Sequence, residues 1–398
     1  MPPPHRRERG AEWRTMSTTT SHSLDALARR RVLVCVSGMS PAIVTETLYA
    51  LVKEHDFVPD EIHVITTLEG RTRIQTALLD AETGHFPAFL RDHLPSGRSI
   101  RFDDSTVHLI GQDEHGQGTA LADIQDGDDN RQAAHTIYRV LRQLKTERPT
   151  QLHASVAGGR KSMSFYMGQA FSLVAEPGDR LSHVLVNEPF ESVPDFFYPP
   201  PQPRLFTTRT GQTVSSADAR VQLADLSVIK LARMLGELPA RAQQDFDFAM
   251  RLAQATLEPP PVRLDFETGQ VEMLGCTVEM APQEFMVLGL YALARQHEAL
   301  RPAGAALRAE DLDERLLSDL NGGRPVLGRD NFKPVHSKIV KRLRAEVGPA
   351  ADWLTIESVR ERPAGVKHSP CELRLPAYCL TLEGEADWWH LLQPALCG

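Results

Sequence analysis

The sequence is poor in cysteine and aromatic residues, and it has no apolar run long enough to cross a membrane. Its 398 residues include 5 cysteines, and Phe, Trp and Tyr together account for 6%. The cysteines have neither the spacing of a metal site nor that of a disulfide framework (Cys35, Cys276, Cys371, Cys379 and Cys397). These absences exclude membrane-spanning proteins and disulfide-stabilised secreted domains, and they predict a protein of the reducing cytoplasm.

Positive charge is also in short supply. The chain has 52 acidic residues against 44 Lys and Arg residues, so its formal net charge is −8 at pH 7. A negatively charged protein repels polyanions, which argues against indiscriminate binding of nucleic acid. A site for a phosphate-bearing ligand therefore has to be basic locally.

The established phosphate-binding motifs are missing. Residues 152–164, Leu-His-Ala-Ser-Val-Ala-Gly-Gly-Arg-Lys-Ser-Met-Ser, predict a strand, a glycine pair and the start of a helix. A Walker loop needs adjacent Gly-Lys and an earlier glycine at the position of Ala154, and a dinucleotide fingerprint needs three spaced glycines. The stretch still offers glycine amides and two cations, Arg160 and Lys161, to an anion. An ordinary tight turn with exposed cations is the alternative interpretation.

Apolar strand patterns alternate with helical patterns from residue 31 to about residue 200. This order predicts an open parallel sheet with helices on both faces, a Rossmann-like α/β fold. The predicted strands are 31–36, 61–67, 105–110, one beginning at 152, and 182–187. Turns containing glycine or hydroxyl side chains follow three of them, at residues 37–40, 66–71 and 158–162. Because the carboxyl ends of parallel strands meet at one edge, these turns predict a binding crevice there.

An acidic stretch at residues 123–130 contains four aspartates. It lacks the alternating Asp-x-Asp-x-Asp-Gly order of a calcium loop. We therefore interpret it as a solvated loop and expect no metal site and no cofactor.

Proline-rich segments divide the chain, whose length is that of two or three domains. Residues 1–30 predict a disordered arm, and Met1 and Met16 are both possible starts of translation. A Rossmann-like domain is expected at 31–204, a helical connector with helices at 217–235 and 240–256 at 205–260, and a third domain at 261–398.

The third domain has the element order of a winged helix. A hairpin pattern at 262–278 precedes a helix at 282–293, a basic helix at 331–347, and strands at 354–359 and 376–382. The basic helix contains Lys333, Lys338, Lys341, Arg342 and Arg344. The domain resembles the DNA-binding domain of OmpR-type response regulators, although Ala377-Tyr378 replaces the Gly-Tyr usual in the wing. The sequence leaves DNA binding and a role in dimer contacts open.

The first two thirds of the chain resemble a known family. The segments are Val-Ser-Gly-Met-Ser-Pro (36–41) with Thr-Glu-Thr-Leu (45–48), Ala-Gly-Gly-Arg-Lys-Ser-Met (157–163), and His-Val-Leu-Val (183–186) with Phe-Phe-Tyr-Pro (196–199). Together they look like the CRISPR-associated Rossmann-fold (CARF) ring nucleases of type III CRISPR loci, over about residues 31–235. The resemblance implies a homodimer that binds cyclic oligoadenylate, with cyclic tetra-adenylate the expected ring, and that cleaves it.

Ring cleavage in such enzymes needs no metal, because a ribose 2′-hydroxyl attacks its own 3′-phosphate. Lys161 is expected to neutralise the transition state, with Arg160 as a second donor and Ser37 as a positioning residue. Glu46 and Glu69 are weaker candidates for a base, and we favour a role for both as N-terminal helix charges. The ligand is expected to contact Gly38, Met39, Ser40, Thr66, Thr67, Glu69, Arg71, Gly158, Gly159, Ser162, Met163 and Asn187.

Two other classes compete with the ring nuclease. A transcription regulator gated by cyclic oligoadenylate would also join such a sensor to a winged helix. An RNA-cleaving effector of the HEPN type would need an arginine and a histidine closely spaced on one helix. The spacings Arg329–His336 and Arg362–His368 contain prolines, so we attribute both to chance.

Overall fold

The structure, a computed structural model, describes residues 29–95, 97–113, 115–301, 303–308, 312–326, 332–359 and 369–397. All but the last two residues of the predicted N-terminal arm lie outside these ranges. So do Arg329, Arg362 and His368 of the two Arg–His spacings. No helix among the described residues is long and apolar enough to span a bilayer.

The N-terminal half is built on one six-stranded sheet. Its strands and a small hairpin are β1 (Arg30–Val36), β2 (Glu61–Thr66), β3 (Val107–Leu109), β4 (Thr150–Ser155), β5 (Arg180–Val186), β6 (Leu205–Thr207), β7 (Thr213–Ser215) and β8 (Val221–Asp225). The sheet order is β3-β2-β1-β4-β5-β8, and β6 pairs with β7. The first five strands are parallel, which confirms the predicted Rossmann-like sheet.

Helices cover both faces of this sheet. They are α1 (Ala42–Glu54), α2 (Leu68–Ile74), α3 (His85–His93), α4 (Gly127–Thr146) and α5 (Lys161–Val174). Side chains alternate along β1, so that Val32, Val34 and Val36 share a core with α4 and α5. Leu33 and Cys35 point to the opposite face and pack with α1 and α3. Burial on both faces explains the continuous apolar run of β1.

Two local predictions in this half are wrong. The predicted helix at 217–235 is a strand in its first part, because β8 pairs antiparallel with β5, and only α6 (Ala232–Leu235) is helical. The acidic stretch is a loop only as far as Asp126, and residues 127–130 form the first turn of α4. Asp126 accepts hydrogen bonds from the N–H groups of Asp128 and Asp129 at 2.9 Å each and caps α4, while Asp123 pairs with Arg160.

The C-terminal half contains a second sheet and a helical layer. Its elements are α7 (Ala240–Gln244), α8 (Phe246–Leu257), β9 (Val262–Asp265), β10 (Gln270–Met273), β11 (Cys276–Glu279), α9 (Pro282–Gln296), α10 (Glu314–Leu320), α11 (Lys333–Val347), β12 (Ile356–Ser358), β13 (Cys371–Leu373), β14 (Leu380–Glu383) and α12 (Ala386–Cys397). The two predicted strands at 354–359 and 376–382 do not pair with each other. β12 pairs with β13, whereas β14 runs parallel to β9 in a sheet of order β11-β10-β9-β14.

The connector holds the two halves together. The Tyr138 hydroxyl on α4 donates to the Ala242 carbonyl at 2.7 Å, and the Trp353 indole N–H donates to the Ala255 carbonyl at 2.7 Å. One continuous apolar cluster runs from Val32 in β1 to Leu392 in α12. The connector is therefore packed against both halves rather than free between them.

Candidate functional site

The three predicted turns meet at one edge of the sheet. The strands β2, β1 and β4 are neighbours, so the turns that follow them lie side by side. The Thr66 hydroxyl donates to the Ser37 carbonyl at 2.7 Å, which ties the turn after β2 to the turn after β1. The carboxyl ends of the three strands thus lie together at the place where the chain order of the sheet reverses, and we call this edge the crevice.

Glycine is required where these turns touch. A Cβ at Gly158 would lie 2.6 Å from the Val36 carbonyl oxygen, and one at Gly38 would lie 3.0 Å from the Gly159 Cα atom. Gly159 also has a φ of +78°, a conformation that other residues rarely adopt. The glycines are therefore needed for the close packing of these turns, and they leave backbone without side chains at the strand ends, where Gly158 is partly exposed and Gly159 is exposed.

Positive charge lies at the start of α5. Lys161 is the first residue of this helix and is exposed, and no side chain caps the helix N-terminus. The free amides and the helix dipole both favour an anion at this position. In the part of the chain that the structure describes, the Lys161 ammonium group has no ion-pair partner. Lys161 is thus available to a ligand.

Arg160 is held by a carboxylate. Its guanidinium binds Asp123 through two nitrogens, and this pairing raises the pKa of Arg160 and lowers the pKa of Asp123. The exposed Glu69 also adds to the rise in the pKa of Arg160. An incoming phosphate would have to share Arg160 with Asp123.

Several predicted ligand contacts are buried. Ser37, Thr66 and Met163 are at most 1% exposed, and the Ser37 hydroxyl has no hydrogen-bond partner among the residues that the structure describes. Thr67 is also buried and caps α2 by accepting a hydrogen bond from the Gly70 N–H at 3.4 Å. Asn187 joins the end of β5 to β8, since its side chain bonds the Arg220 N–H and the Asp218 carbonyl. These side chains therefore pack beneath the crevice or beside it.

The remaining predicted contacts line the surface. Met39, Ser40, Glu69, Gly159, Arg160 and Lys161 are exposed, and Gly38, Arg71, Gly158 and Ser162 are partly exposed. Glu69 lies in the first turn of α2, as the helix-charge interpretation predicts. Glu46 does not fit that interpretation, because it is buried in α1.

A cavity beside the crevice was not predicted. It has a volume of about 750 Å³ and extends from Met39, Ser40 and Ala157 of the crevice to Glu46 and His183. Burial, with a smaller contribution from Glu191, raises the pKa of Glu46 to about 8. The available signal was the polar triplet Thr-Glu-Thr (45–47) within an otherwise apolar helix.

One cluster of potential metal ligands occurs among the described residues: His135, Asp245 and Asp247. The His135 Nδ1 atom accepts a hydrogen bond from the Phe246 N–H at 3.1 Å, so the Nε2 atom carries the proton. The Nε2 atom lies 3.8 Å from the Asp247 Oδ2 atom. His135 therefore forms a hydrogen-bonded contact between α4 and α8. Neither of its ring nitrogens has a lone pair free for a metal, so the three residues do not fit a metal site.

The parallel sheet and the turns at its carboxyl edge define the chain as a Rossmann-like α/β protein with exposed cations at that edge. Residues 40–259, more than half of the 398-residue chain, match the family described as CRISPR-associated protein NE0113. The chain belongs to this family of CRISPR-associated proteins.

Two solved structures are similar to parts of the chain. Csm6 of Enterococcus italicus bound to cyclic hexa-2'-fluoro-hexa-dAMP is 10% identical, with a TM-score of 0.29 and coverage of 58% of this chain and 50% of that one. Can2 from Sulfobacillus thermosulfidooxidans in complex with cyclic tetra-adenylate is 14% identical, with a TM-score of 0.21 and coverage of 58% and 53%. The aligned region thus spans about half the length of each, and these scores carry no functional argument. No curated protein matches the chain.

Proposed function

We propose that this chain is a CARF protein that binds cyclic oligoadenylate, with cyclic tetra-adenylate the expected ring, at the crevice of a homodimer. The observation that carries the proposal is the bare glycine backbone of the crevice beside the uncapped start of α5 and the accessible Lys161. Backbone amides and a free ammonium group are the donors that a ring of phosphodiesters requires. Membership of a CRISPR-associated family agrees with a ligand made during CRISPR interference.

A two-fold dimer matches the symmetry of the ligand. A ring of four or six identical nucleotides has a two-fold axis, so each protomer would make the same contacts to half of it. Met39 and Phe165 support this arrangement, because they are 53% and 60% exposed near the crevice and would be covered in a dimer. Lys161 and Phe165 lie one helical turn apart on α5.

We expect a dimer at micromolar concentration, with one ring bound per two chains. Light scattering gives the mass, and calorimetry gives the ratio of ring to chain. A monomer that still binds one ring per chain would contradict the shared crevice.

The proposed reaction is a transesterification within the ring. A ribose 2′-oxygen forms a bond to the adjacent phosphorus as its proton leaves to water, and the bond from phosphorus to the 5′-oxygen breaks. The 5′-oxygen takes up a proton, and the linear product carries a 2′,3′-cyclic phosphate. Lys161 would stabilise the negative charge that develops on the phosphoryl oxygens, with Arg160 as a second donor. Ser37 could assist only if its buried hydroxyl turned toward the ligand.

The test of this function is chromatography of cyclic tetra-adenylate and cyclic hexa-adenylate after incubation with excess protein and EDTA. We expect the tetra-adenylate to be converted to linear products that end in 2′,3′-cyclic phosphate. If a ring binds but is not converted, the protein is a sensor of cyclic oligoadenylate and not a nuclease. Absence of binding to either ring would overturn the proposal.

A second candidate function is that of a ligand-gated transcription regulator. The order β9–β11, α9, α10, α11 and the hairpin β12–β13 favours a winged helix, in which α11 would be the recognition helix. Lys338 and Lys341 are exposed on α11. However, Arg342 pairs with Glu284 at 2.9 Å, and Arg344 pairs with Asp352. These ion pairs reduce the charge available to DNA.

The connector also approaches α11. Residues 237–239 face Ser337, Lys341 and Arg344 across a groove of about 640 Å³. Part of the α11 surface that would have to enter the major groove of DNA therefore lies next to residues 237–239 of the connector. For this reason we place the regulator second and propose that the C-terminal domain braces the dimer.

Weak or undetectable DNA binding is expected. The measurement is an electrophoretic shift assay with the protein's own promoter region at about 0.1 M salt, with and without ring, because phosphate contacts weaken as salt rises. Nanomolar, sequence-selective binding that the ring abolishes would place the regulator first. A Lys338→Ala/Lys341→Ala variant would then separate binding through α11 from binding elsewhere.

A further inference from the structure

The cavity beside the crevice has the size and walls of a binding site for a flat heterocycle. Its volume of about 750 Å³ lies within the range of roughly 300–1,000 Å³ found for small-molecule sites. Ile43, Val193 and Phe197 give it apolar walls, and it opens into the crevice at Met39 and Ser40. A ligand bound over the crevice could therefore extend one of its groups into the cavity.

Two polar groups in this cavity lack partners. Glu46 is only 7% exposed, and none of the described residues forms a hydrogen bond with its carboxyl group. The buried Nδ1 atom of His183 likewise has no hydrogen-bond partner in the described part of the chain. Buried polar groups are normally paired, and leaving one unpaired destabilises the protein. The Glu46 carboxyl group lines the cavity and its oxygens are not fully buried, so a ligand that enters the cavity can reach it.

We propose, resting on the proposed function, that this cavity receives an adenine base of the ring and that Glu46 recognises the edge bearing the amino group. Adenine presents an amino donor beside a ring-nitrogen acceptor. A protonated carboxyl group is complementary, because its hydroxyl donates to the ring nitrogen while its carbonyl accepts from the amino group. The apolar walls would contact the faces of the base. Glu46 is thus assigned as a specificity-determining residue.

The protonation state of Glu46 follows from its surroundings. Glu191 and Asp195 face the cavity from the segment after β5, and His183 faces it from β5. The other charged or titratable lining groups are Arg73 after β2, His85 at the start of α3, and Arg209 in the turn between β6 and β7. Burial and the negative charge of Glu191 keep the carboxyl group protonated at pH 7, since its pKa is raised to about 8.

Ring affinity is therefore expected to fall as the pH rises through about 8. Above that pH the carboxylate loses its proton donor, and its charge repels the lone pair of the ring nitrogen. If only the protonated form binds, affinity falls roughly tenfold between pH 7 and pH 9 for each Glu46 that contacts the ring. Glu46→Gln keeps one donor and one acceptor but does not titrate, so its affinity should be the same at both pH values.

The experiment is calorimetry with cyclic tetra-adenylate at pH 7 and pH 9 on the full chain. The variants are Glu46→Gln, Glu46→Leu and the control Glu54→Gln, which changes an exposed glutamate at the far end of α1. We expect Glu46→Leu to bind at least tenfold more weakly at pH 7, and Glu54→Gln to behave as the wild type. Thermal unfolding of each variant checks that the fold is intact.

The outcomes distinguish a failure of the adenine pocket from a failure of the proposed binding of cyclic oligoadenylate. Glu46→Leu could keep wild-type affinity and pH dependence while Lys161→Ala weakens ring binding or cleavage. In that case the proposed adenine pocket is wrong, and the proposed ring binding at the crevice is retained. A pH dependence that persists in Glu46→Gln also overturns the assignment. If the wild type binds neither the tetra- nor the hexa-adenylate ring, the proposed function and the pocket both fail.

Discussion

Lys161→Ala should slow cleavage of cyclic tetra-adenylate by roughly tenfold to a thousandfold, the range for loss of one donor to a developing oxyanion. The physical reason is that Lys161 offers a full positive charge at the start of α5, where the helix dipole and free amides add to it. Folding should be unaffected, because the side chain is exposed and alanine suits a helix. The measurement is the single-turnover rate of ring opening, followed by chromatography.

Two further variants make this result specific. Lys53→Ala removes an exposed lysine from the last turn of α1, away from the crevice, and should cleave at the wild-type rate. Arg160→Ala should mainly weaken binding, because Arg160 is already paired with Asp123 and contributes less free charge. Wild-type cleavage by Lys161→Ala in the same assay would show that another group stabilises the transition state.

Gly158→Ala should destabilise the protein and disable the crevice together. The new Cβ would lie 2.6 Å from the Val36 carbonyl oxygen and 3.2 Å from the Ser37 Cα atom, so the turns after β1 and β4 would have to separate. We expect a loss of about 1–3 kcal/mol in the free energy of unfolding, the usual cost of overpacking. Ring cleavage should fall by roughly a hundredfold, the scale for a displacement of about 1 Å among positioning groups. Urea unfolding and single-turnover cleavage measure the two effects.

Gly127→Ala is the matched control for this substitution. Gly127 is the first residue of α4, and a Cβ there would have no atom within 4 Å among the described residues. Its stability and ring cleavage should stay near those of the wild type. Equal behaviour of the two glycine variants would mean that the turns after β1 and β4 can separate without consequence.

Much of the N-terminal fold follows from local patterns in the sequence. β1 has a continuous apolar run because both of its faces are buried, and this pattern is visible without a structure. The glycines at 158 and 159 mark a turn before α5, and strand–helix alternation then restricts the sheet to a parallel order. The convergence of three turns on one crevice, with Lys161 at its rim, could therefore be predicted.

Features that depend on pairing between distant segments could not be predicted. Val221–Asp225 becomes a strand because the edge of β5 is open to it, and its local sequence does not exclude a helix. β14 is covered in large part by the strand predicted at 376–382, but its partner, β9, lies more than a hundred residues earlier and could not be predicted.

The amino-acid sequence by itself determined the parallel sheet, the glycine crevice and the cations at the start of α5, since these rest on short-range periodicity and turn chemistry. Only the tertiary structure decided which polar side chains are buried, paired or open to a cavity. It buried Ser37, paired Arg160 with Asp123, and turned Glu46 into a cavity beside Glu191. The physical reason is that burial and charge pairing depend on groups that folding brings together. The local sequence of one segment does not specify which distant segments will contact it.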